Sequence, residues 1–328
     1  MLQLNSLLSK INSIKESTFE ATSIEVFNYQ AKYNSVFQKY LQSLGHPCHA
    51  QGMADLVFLP IEFFKNHTIK TQNWEEETVF ESSGTTGNQT SRHYIKDLSL
   101  YHQGCTKHFE MLYGDLSEYS ILALLPSYLE RGNSGLIAMV NAFMNRTQKA
   151  SSGYFLNDID HLISKLKEYN DLGKKTILWG VTFALLDLAN QFVLDFPELI
   201  IIETGGMKGR RKELVRQEVH QVLKNAFNVR QVHSEYGMTE LNSQAYALKN
   251  GVFQPAPTMS AMIRDINDPF ANVSDGKTGA LNIIDLGNIH TCSFIETKDL
   301  GRRFPNGFFE VLGRMDNADI RGCNLLIS

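Results

Sequence analysis

The chain is expected to be an α/β protein: mostly parallel sheets covered by helices on both faces, then a small antiparallel, barrel-like β subdomain. Two patterns carry this expectation. Between residues 119 and 232, short apolar or β-branched runs alternate with amphipathic segments of helical spacing, which is how strand–helix–strand units read in sequence. After residue 250 the texture changes, and glycine, proline and aspartate punctuate short strands, as in small antiparallel barrels. The division expected is therefore 1–250 and 251–328, within a chain of 328 residues that is long enough for one large domain or two to three subdomains.

At the N-terminus, Ile11, Ile14, Phe19, Ile24, Phe27, Tyr33, Phe37, Tyr40 and Leu41 recur near helical spacing. Residues 7–45 are read as helices, ended by Gly45-His46-Pro47. Strands are expected at 119–125 (YSILALL), 176–180 (TILWG), 199–203 (LIIIE) and 229–232 (VRQV). Helices are expected between and after them at 134–144, 158–169, 182–194 and 209–226. In the last of these, Val215, Val219, Val222 and Ala226 make one apolar stripe. Further strands are expected at 279–285 (GALNIID) and 307–311 (GFFEV).

An apolar fraction of 43% and a charged fraction of 20% are those of an ordinary globular protein. The formal charge of −4 gives no support for nucleic-acid binding, and the densest basic stretch, Lys208 to Lys212, reads as a solvated helix end. No stretch approaches 18 apolar residues, so no membrane span is expected. The first ten residues lack a basic leader and a small-residue cleavage site, and four cysteines (Cys48, Cys105, Cys292, Cys323) show no disulfide-framework spacing. A reduced, cytoplasmic protein is the expectation.

The most informative stretch is Ser82-Ser83-Gly84-Thr85-Thr86-Gly87, six small residues of which four bear hydroxyls, just after the apolar piece Thr78-Val79-Phe80. Glycines let backbone approach a ligand, successive N–H groups make an anion-binding concavity, and the hydroxyls add donors. That chemistry suits a polyphosphate, although such a run alone is also a flexible polar loop. Asp275-Gly276-Lys277-Thr278-Gly279 contains a Gly-Lys-Thr, but Ala271 stands where the common phosphate loop needs glycine, so a tight β-turn is expected there. His46-Pro47-Cys48-His49 has no second ligand pair at the spacing of a zinc site.

Three later motifs make the reading specific: Tyr236-Gly237-Met238-Thr239-Glu240, Thr297-Lys298-Asp299-Leu300-Gly301 and Gly313-Arg314-Met315-Asp316. With the Ser-Thr run they occur in the order of, and resemble, the signatures of adenylate-forming enzymes: acyl-coenzyme A synthetases, peptide-synthetase adenylation domains and luciferases. The resemblance spans residues 82–322. It implies a large N-terminal domain of two α/β sheet subdomains plus a small β-barrel-like subdomain. Residues 1–250 would then hold nucleotide and acyl group, and 251–328 would end at the hinge and tail. Because the chain stops twelve residues past Asp316, the family's mobile C-terminal domain and its lysine are expected to be absent.

By this resemblance ATP and Mg²⁺ are the expected cofactors and a carboxylic acid the substrate. Ser82, Ser83, Gly84, Thr85, Thr86 and Gly87 would cradle the phosphates. Tyr236 would stack on adenine, against which the Gly205-Gly206 backbone would lie. Thr239 would bond the α-phosphate, Glu240 would hold the metal, and Asp299 with Arg314 would fix the ribose. Many relatives carry lysine and proline where this chain has Thr90 and Gln89, and Thr90 is what phenylacetate–coenzyme A ligases resemble there.

The string Ile320-Arg321-Gly322-Cys323-Asn324-Leu325 resembles that of the acyl-protein synthetases of bacterial bioluminescence, the LuxE-like group. They are short and carry an acyl-accepting cysteine near the C-terminus, which implies Cys323 as nucleophile and a partner protein as final acceptor. A coenzyme A ligase and a non-catalytic nucleotide- or acyl-binding homologue are the alternatives. The segment 126–140 and the neighbourhood of His233 are expected walls for a fatty or aryl acid.

Overall fold

The computed structural model describes residues 2–82, 90–126, 132–147, 151–205 and 215–315. Three helices open the chain: α1 (Leu2–Asn12), α2 (Glu16–Tyr33) and α3 (Ser35–Ser43). Asn34 separates the last two, because its side chain caps α3 by accepting from Phe37 N at 3.1 Å. After β1 (Leu59–Pro60) and the single turn α4 (Phe63–Asn66), β2 (Thr78–Glu81) and β3 (Arg92–Ile95) form an antiparallel hairpin. The Ser-Thr run connects these two strands.

The centre of the molecule is a parallel sheet. Helix α5 (Leu98–Tyr113), capped by Asp97, leads into β4 (Ser120–Leu124). Then follow α6 (Gly135–Arg146), β5 (Gly153–Tyr154), α7 (Ile159–Asp171), β6 (Thr176–Val181), α8 (Thr182–Gln191), β7 (Ile200–Thr204), α9 (Arg216–Phe227) and β8 (Val232–Tyr236). Spatial order is β5-β4-β6-β7-β8, every pair parallel. Every residue of β4 and β6 is buried, as expected of strands covered on both faces, whose sequences are therefore mainly apolar.

The β-rich remainder is antiparallel: β9 (Ala245–Ala247), β10 (Val252–Pro255), β11 (Met259–Arg264), β12 (Thr278–Asp285), β13 (Phe294–Arg303) and β14 (Phe309–Arg314). Strand β10 joins the two parts. Val252 and Phe253 pair with β14, whereas Gln254 and Pro255 pair with β9, which in turn pairs with β8. One core fills the space around the parallel sheet and its helices. The other joins α1–α3 to the β-rich part, with Phe27 and Phe37 packed on Phe294 at 5.2 and 6.3 Å.

Several boundaries differ from expectation. The strand expected at 229–232 runs Val232–Tyr236: α9 closes on Asn228 in the left-handed region, and the next residues cross from helix to sheet. Ser234 and Glu235, polar residues beyond the end of the expected strand, are buried strand residues whose polar groups find partners. Helix α8 ends at Gln191, short of 194. The strand expected at 307–311 is Phe309–Arg314, because Gly307 at φ +80° makes the preceding turn. Gly276, at φ +84°, forms the turn expected before Thr278. Residues 209–214 of the expected last helix lie outside the described residues. Among the described residues, no helix is long and apolar enough to cross a membrane.

Candidate active site

Strand β8 delivers Tyr236 to the seam between the two parts of the fold. Its hydroxyl donates to Asp299 Oδ2 at 2.8 Å, and its ring packs against Phe253 and Phe309 at 5.8 and 5.4 Å. Asp299 lies on β13 directly opposite Arg314 on β14, whose Nε stands 3.6 Å from Asp299 Oδ1. Sheet register thus unites three residues drawn from three separate motifs. Asp299 is buried, whereas the Arg314 side chain is 74% exposed. Burial pushes the Asp299 carboxyl up; the Tyr236 hydroxyl and the Arg314 charge draw it back.

Gly237 follows, and a Cβ there would lie 2.4 Å from Glu235 Oε1, so a larger residue would force that carboxylate to move. The chain then turns through Thr239 and Glu240, and four side chains outside the motif hold that turn. His93 Nδ1 bonds the Thr239 carbonyl at 2.8 Å. Asn288 donates to the Glu240 carbonyl at 2.8 Å and accepts from Asn242 N at 3.1 Å. Asp285, fully buried, accepts from Asn242 N, Ser243 N, Ser243 Oγ and Gly287 N at 2.6–2.9 Å. Thr291 Oγ1 stands 2.9 Å from His93 Nε2.

The Glu240 side chain is itself buried, and burial raises its pKa; the Ser91 hydroxyl and the charges of Lys65 and Arg314 favour its ionised form. Ser91 also closes the neck of the Ser-Thr run, since Ser82 Oγ accepts from Ser91 N at 2.9 Å and Ser91 O accepts from Ser82 N at 3.0 Å. Of that run, Ser82 is described, and Ser83, Gly84, Thr85, Thr86 and Gly87 lie outside the described residues. Ser91, bonded to Ser82 at that neck, also meets the Glu240 side chain.

At the carboxyl ends of β7 and β8, where open α/β sheets bind ligands, lies a buried polar cluster. Gly205 leaves β7 at φ +71°, and its carbonyl accepts from Thr182 Oγ1 at 2.7 Å. Burial alone would raise Glu203, but bonds from His220, Ser234 and Thr182 and the Arg216 charge hold it below the usual carboxylate range. Glu235, bonded by the Thr204 hydroxyl, is pushed up to about 7 by burial and by the neighbouring Glu203 charge. Beside the sheet, His233 Nδ1 lies 3.0 Å from Tyr113 OH, and burial lowers His233 to about 4. Gly206 and Cys323 lie outside the described residues.

Among the described residues no three His, Cys, Asp or Glu side chains are close enough together to hold a metal ion. A cation here would rest on the Glu240 carboxylate and on a ligand's own phosphates. That sparse oxygen donor set suits Mg²⁺, which is commonly held by one or two carboxylates plus substrate phosphates.

Asp285, Asn288, His93 and Ser91 escaped the motif reading. Asp285-Leu286-Gly287 carries the signal of an Asx turn, and a strand ending on aspartate could have flagged it. His93 carries none, because its partner Thr239 is 146 residues away.

The parallel sheet and the antiparallel part joined to it have the fold of the large N-terminal domain of adenylate-forming enzymes. The chain belongs to the LuxE acyl-protein synthetase family, whose family model matches residues 7–328. No curated protein matches it in sequence. Among solved structures it is similar to ATP-bound MatB from Rhodopseudomonas palustris, at 19% identity and TM-score 0.53, over 72% of this chain and 47% of that one. MenE, the O-succinylbenzoate coenzyme A synthetase of Bacillus subtilis, in complex with ATP and magnesium ion, matches at 16% identity and TM-score 0.51, over 72% of this chain and 50% of that one. An open conformation of 2-hydroxyisobutyryl-CoA ligase, in complex with 2-HIB-AMP and CoA, matches at 10% identity and TM-score 0.66, over 91% of this chain and 70% of that one. The chain spans about half the length of the MatB structures it matches.

Proposed function

We propose that this protein uses ATP to activate a carboxylic acid as its acyl adenylate and passes the acyl group to Cys323, then to a partner protein. The observation that carries the reading is the convergence of Tyr236, Asp299 and Arg314, 78 residues apart at the extremes, beside a Glu240 that faces the neck of the Ser-Thr run.

Adenylation joins two anions, so the site must neutralise charge and align the groups. A carboxylate oxygen of the acid attacks the α-phosphorus, and the bond to pyrophosphate breaks. Bound Mg²⁺ would supply charge neutralisation on the phosphates. The chain's own residues do the rest: Asp299 offers acceptors for a vicinal diol, Thr239 a hydroxyl toward the α-phosphate, and the Ser82–Gly87 run its donors to the leaving pyrophosphate. In the second half-reaction the Cys323 thiolate attacks the acyl carbon and AMP leaves. The acid would be fatty or aryl, held along the segment 126–140 and the neighbourhood of His233.

The test is pyrophosphate exchange into ATP, driven by a panel of carboxylic acids. Exchange with one class of acid is expected; none with any acid would leave a nucleotide- or acyl-binding protein without turnover. The likeness to a 2-hydroxyisobutyryl-CoA ligase solved with 2-HIB-AMP and CoA supports the second reading, direct transfer to coenzyme A. Acylation of added coenzyme A without a covalent acyl-protein would select it.

A further inference from the structure

We propose that His93 is a positioning residue for adenylation: through its Nδ1–H it holds the Thr239 carbonyl and so locks the Thr239–Glu240 turn to the stem of the phosphate-binding run. This rests on the acid-activating reading above and deepens it. His93 belongs to none of the motifs.

The ring occupies a fully buried site on β3, two residues beyond Ser91, where the Ser-Thr run re-enters the hairpin. Nδ1 lies 2.8 Å from the Thr239 carbonyl and Nε2 lies 2.9 Å from Thr291 Oγ1. A carbonyl only accepts, so Nδ1 must carry the proton. Burial lowers the pKa to about 4, which keeps the ring neutral, so Nε2 must accept from the Thr291 hydroxyl. Only one tautomer satisfies both ends.

Everything behind the ring is fixed. Phe64 meets it edge-on at 5.6 Å and 85°. The Thr291 carbonyl is held by Thr71 Oγ1 at 2.5 Å and Asn34 Nδ2 at 2.8 Å. A rigid bracket therefore runs from the helical N-terminal part, through Thr291 and His93, to the backbone between Thr239 and Glu240. Its neighbour Ser91 meets the Glu240 side chain on the other flank. The neck of the run, Ser82 and Ser91, and the Glu240 carboxylate come from sequence segments about 150 residues apart, and this bracket sets their separation. Small misplacements of such groups cost orders of magnitude in rate.

Two substitutions separate this role from simple packing. His93→Asn can place an amide donor where Nδ1 stands; His93→Gln is closer in volume but places its amide at the Nε2 position. Pyrophosphate exchange is measured for wild type, His93→Ala, His93→Asn and His93→Gln, each at a temperature where it is folded by circular dichroism. In His93→Ala the maximal exchange rate is expected to fall by about tenfold or more, with the Mg²⁺ requirement raised and the KM for the acid little changed. Asn should recover most of the rate and Gln should not. Equal rates in wild type and His93→Ala, or recovery by Gln at least as good as by Asn, would overturn the His93 role while leaving the acid-activating reading in place. No exchange by wild type with any acid would overturn both.

Discussion

The phenol of Tyr236 donates a hydrogen bond to the carboxylate of Asp299 across 2.8 Å, although 63 residues separate them in the chain. One is the last residue of the parallel sheet and the other lies in the antiparallel part, so this bond stitches the two at the point where nucleotide is proposed to bind. Arg314 approaches the same carboxylate from the solvent side.

Asp299→Ala is expected to weaken ATP more than free pyrophosphate, because the carboxylate would accept from ribose hydroxyls, which pyrophosphate lacks. Two hydrogen bonds to a charged acceptor suggest about 2–4 kcal/mol. Titration calorimetry with both ligands checks this, and equal weakening would make Asp299 a structural partner of Tyr236 alone.

Glu240→Gln keeps shape and removes charge. A folded Glu240→Gln protein should lose exchange by about tenfold or more, since an amide is a poor ligand for Mg²⁺. Exchange at the wild-type rate would remove Glu240 from the site.

Asp285→Ala leaves Asn242 N, Ser243 N, Ser243 Oγ and Gly287 N without their shared acceptor in a fully buried place. Stability should fall by about 3 kcal/mol or more. Urea unfolding is the measurement, and a change in midpoint within error would refute the bracing role.

Acid should destabilise the fold through buried histidines, and His108 isolates the effect. Both its ring nitrogens are buried without partners among the described residues, the ring packs against Tyr246, and burial lowers its pKa to about 4. The unfolded chain therefore binds a proton at this position between pH 6.5 and 4 that the native state does not, so its contribution to stability is lost as pH falls through that window. His108→Leu removes this dependence. Relative to wild type, the variant should be more stable at pH 5 than at pH 7.5 by about 2 kcal/mol; a pH-independent difference would contradict the neutral buried imidazole.

Cys323→Ser should still form acyl adenylate yet accumulate no hydroxylamine-labile acyl-enzyme, because a serine hydroxyl is scarcely ionised near neutral pH. Labelled acid, ATP and Mg²⁺ followed by peptide mapping test this. Label on another residue, or rapid acylation of coenzyme A with none on the protein, would favour the ligase reading.

The parallel strands at 120–124, 176–181 and 200–204 were legible in the sequence because burial on both faces demands short, mainly apolar runs. Tyr236, Thr239, Glu240, Asp299 and Arg314 were legible as candidates because their chemistry is packed into short local motifs. Nothing local, however, announced that Asp299 faces Arg314 in the β13–β14 register, or that Tyr236 reaches Asp299. Nor could sequence pattern reveal the brace of His93, Asp285, Asn288 and Thr291, or the core that ties α1–α3 to the β-rich part. Hydrophobic periodicity encodes which face of an element is buried; it does not encode which distant element covers it. That pairing, and the tautomer it imposes on His93, is decided only when the chain is packed.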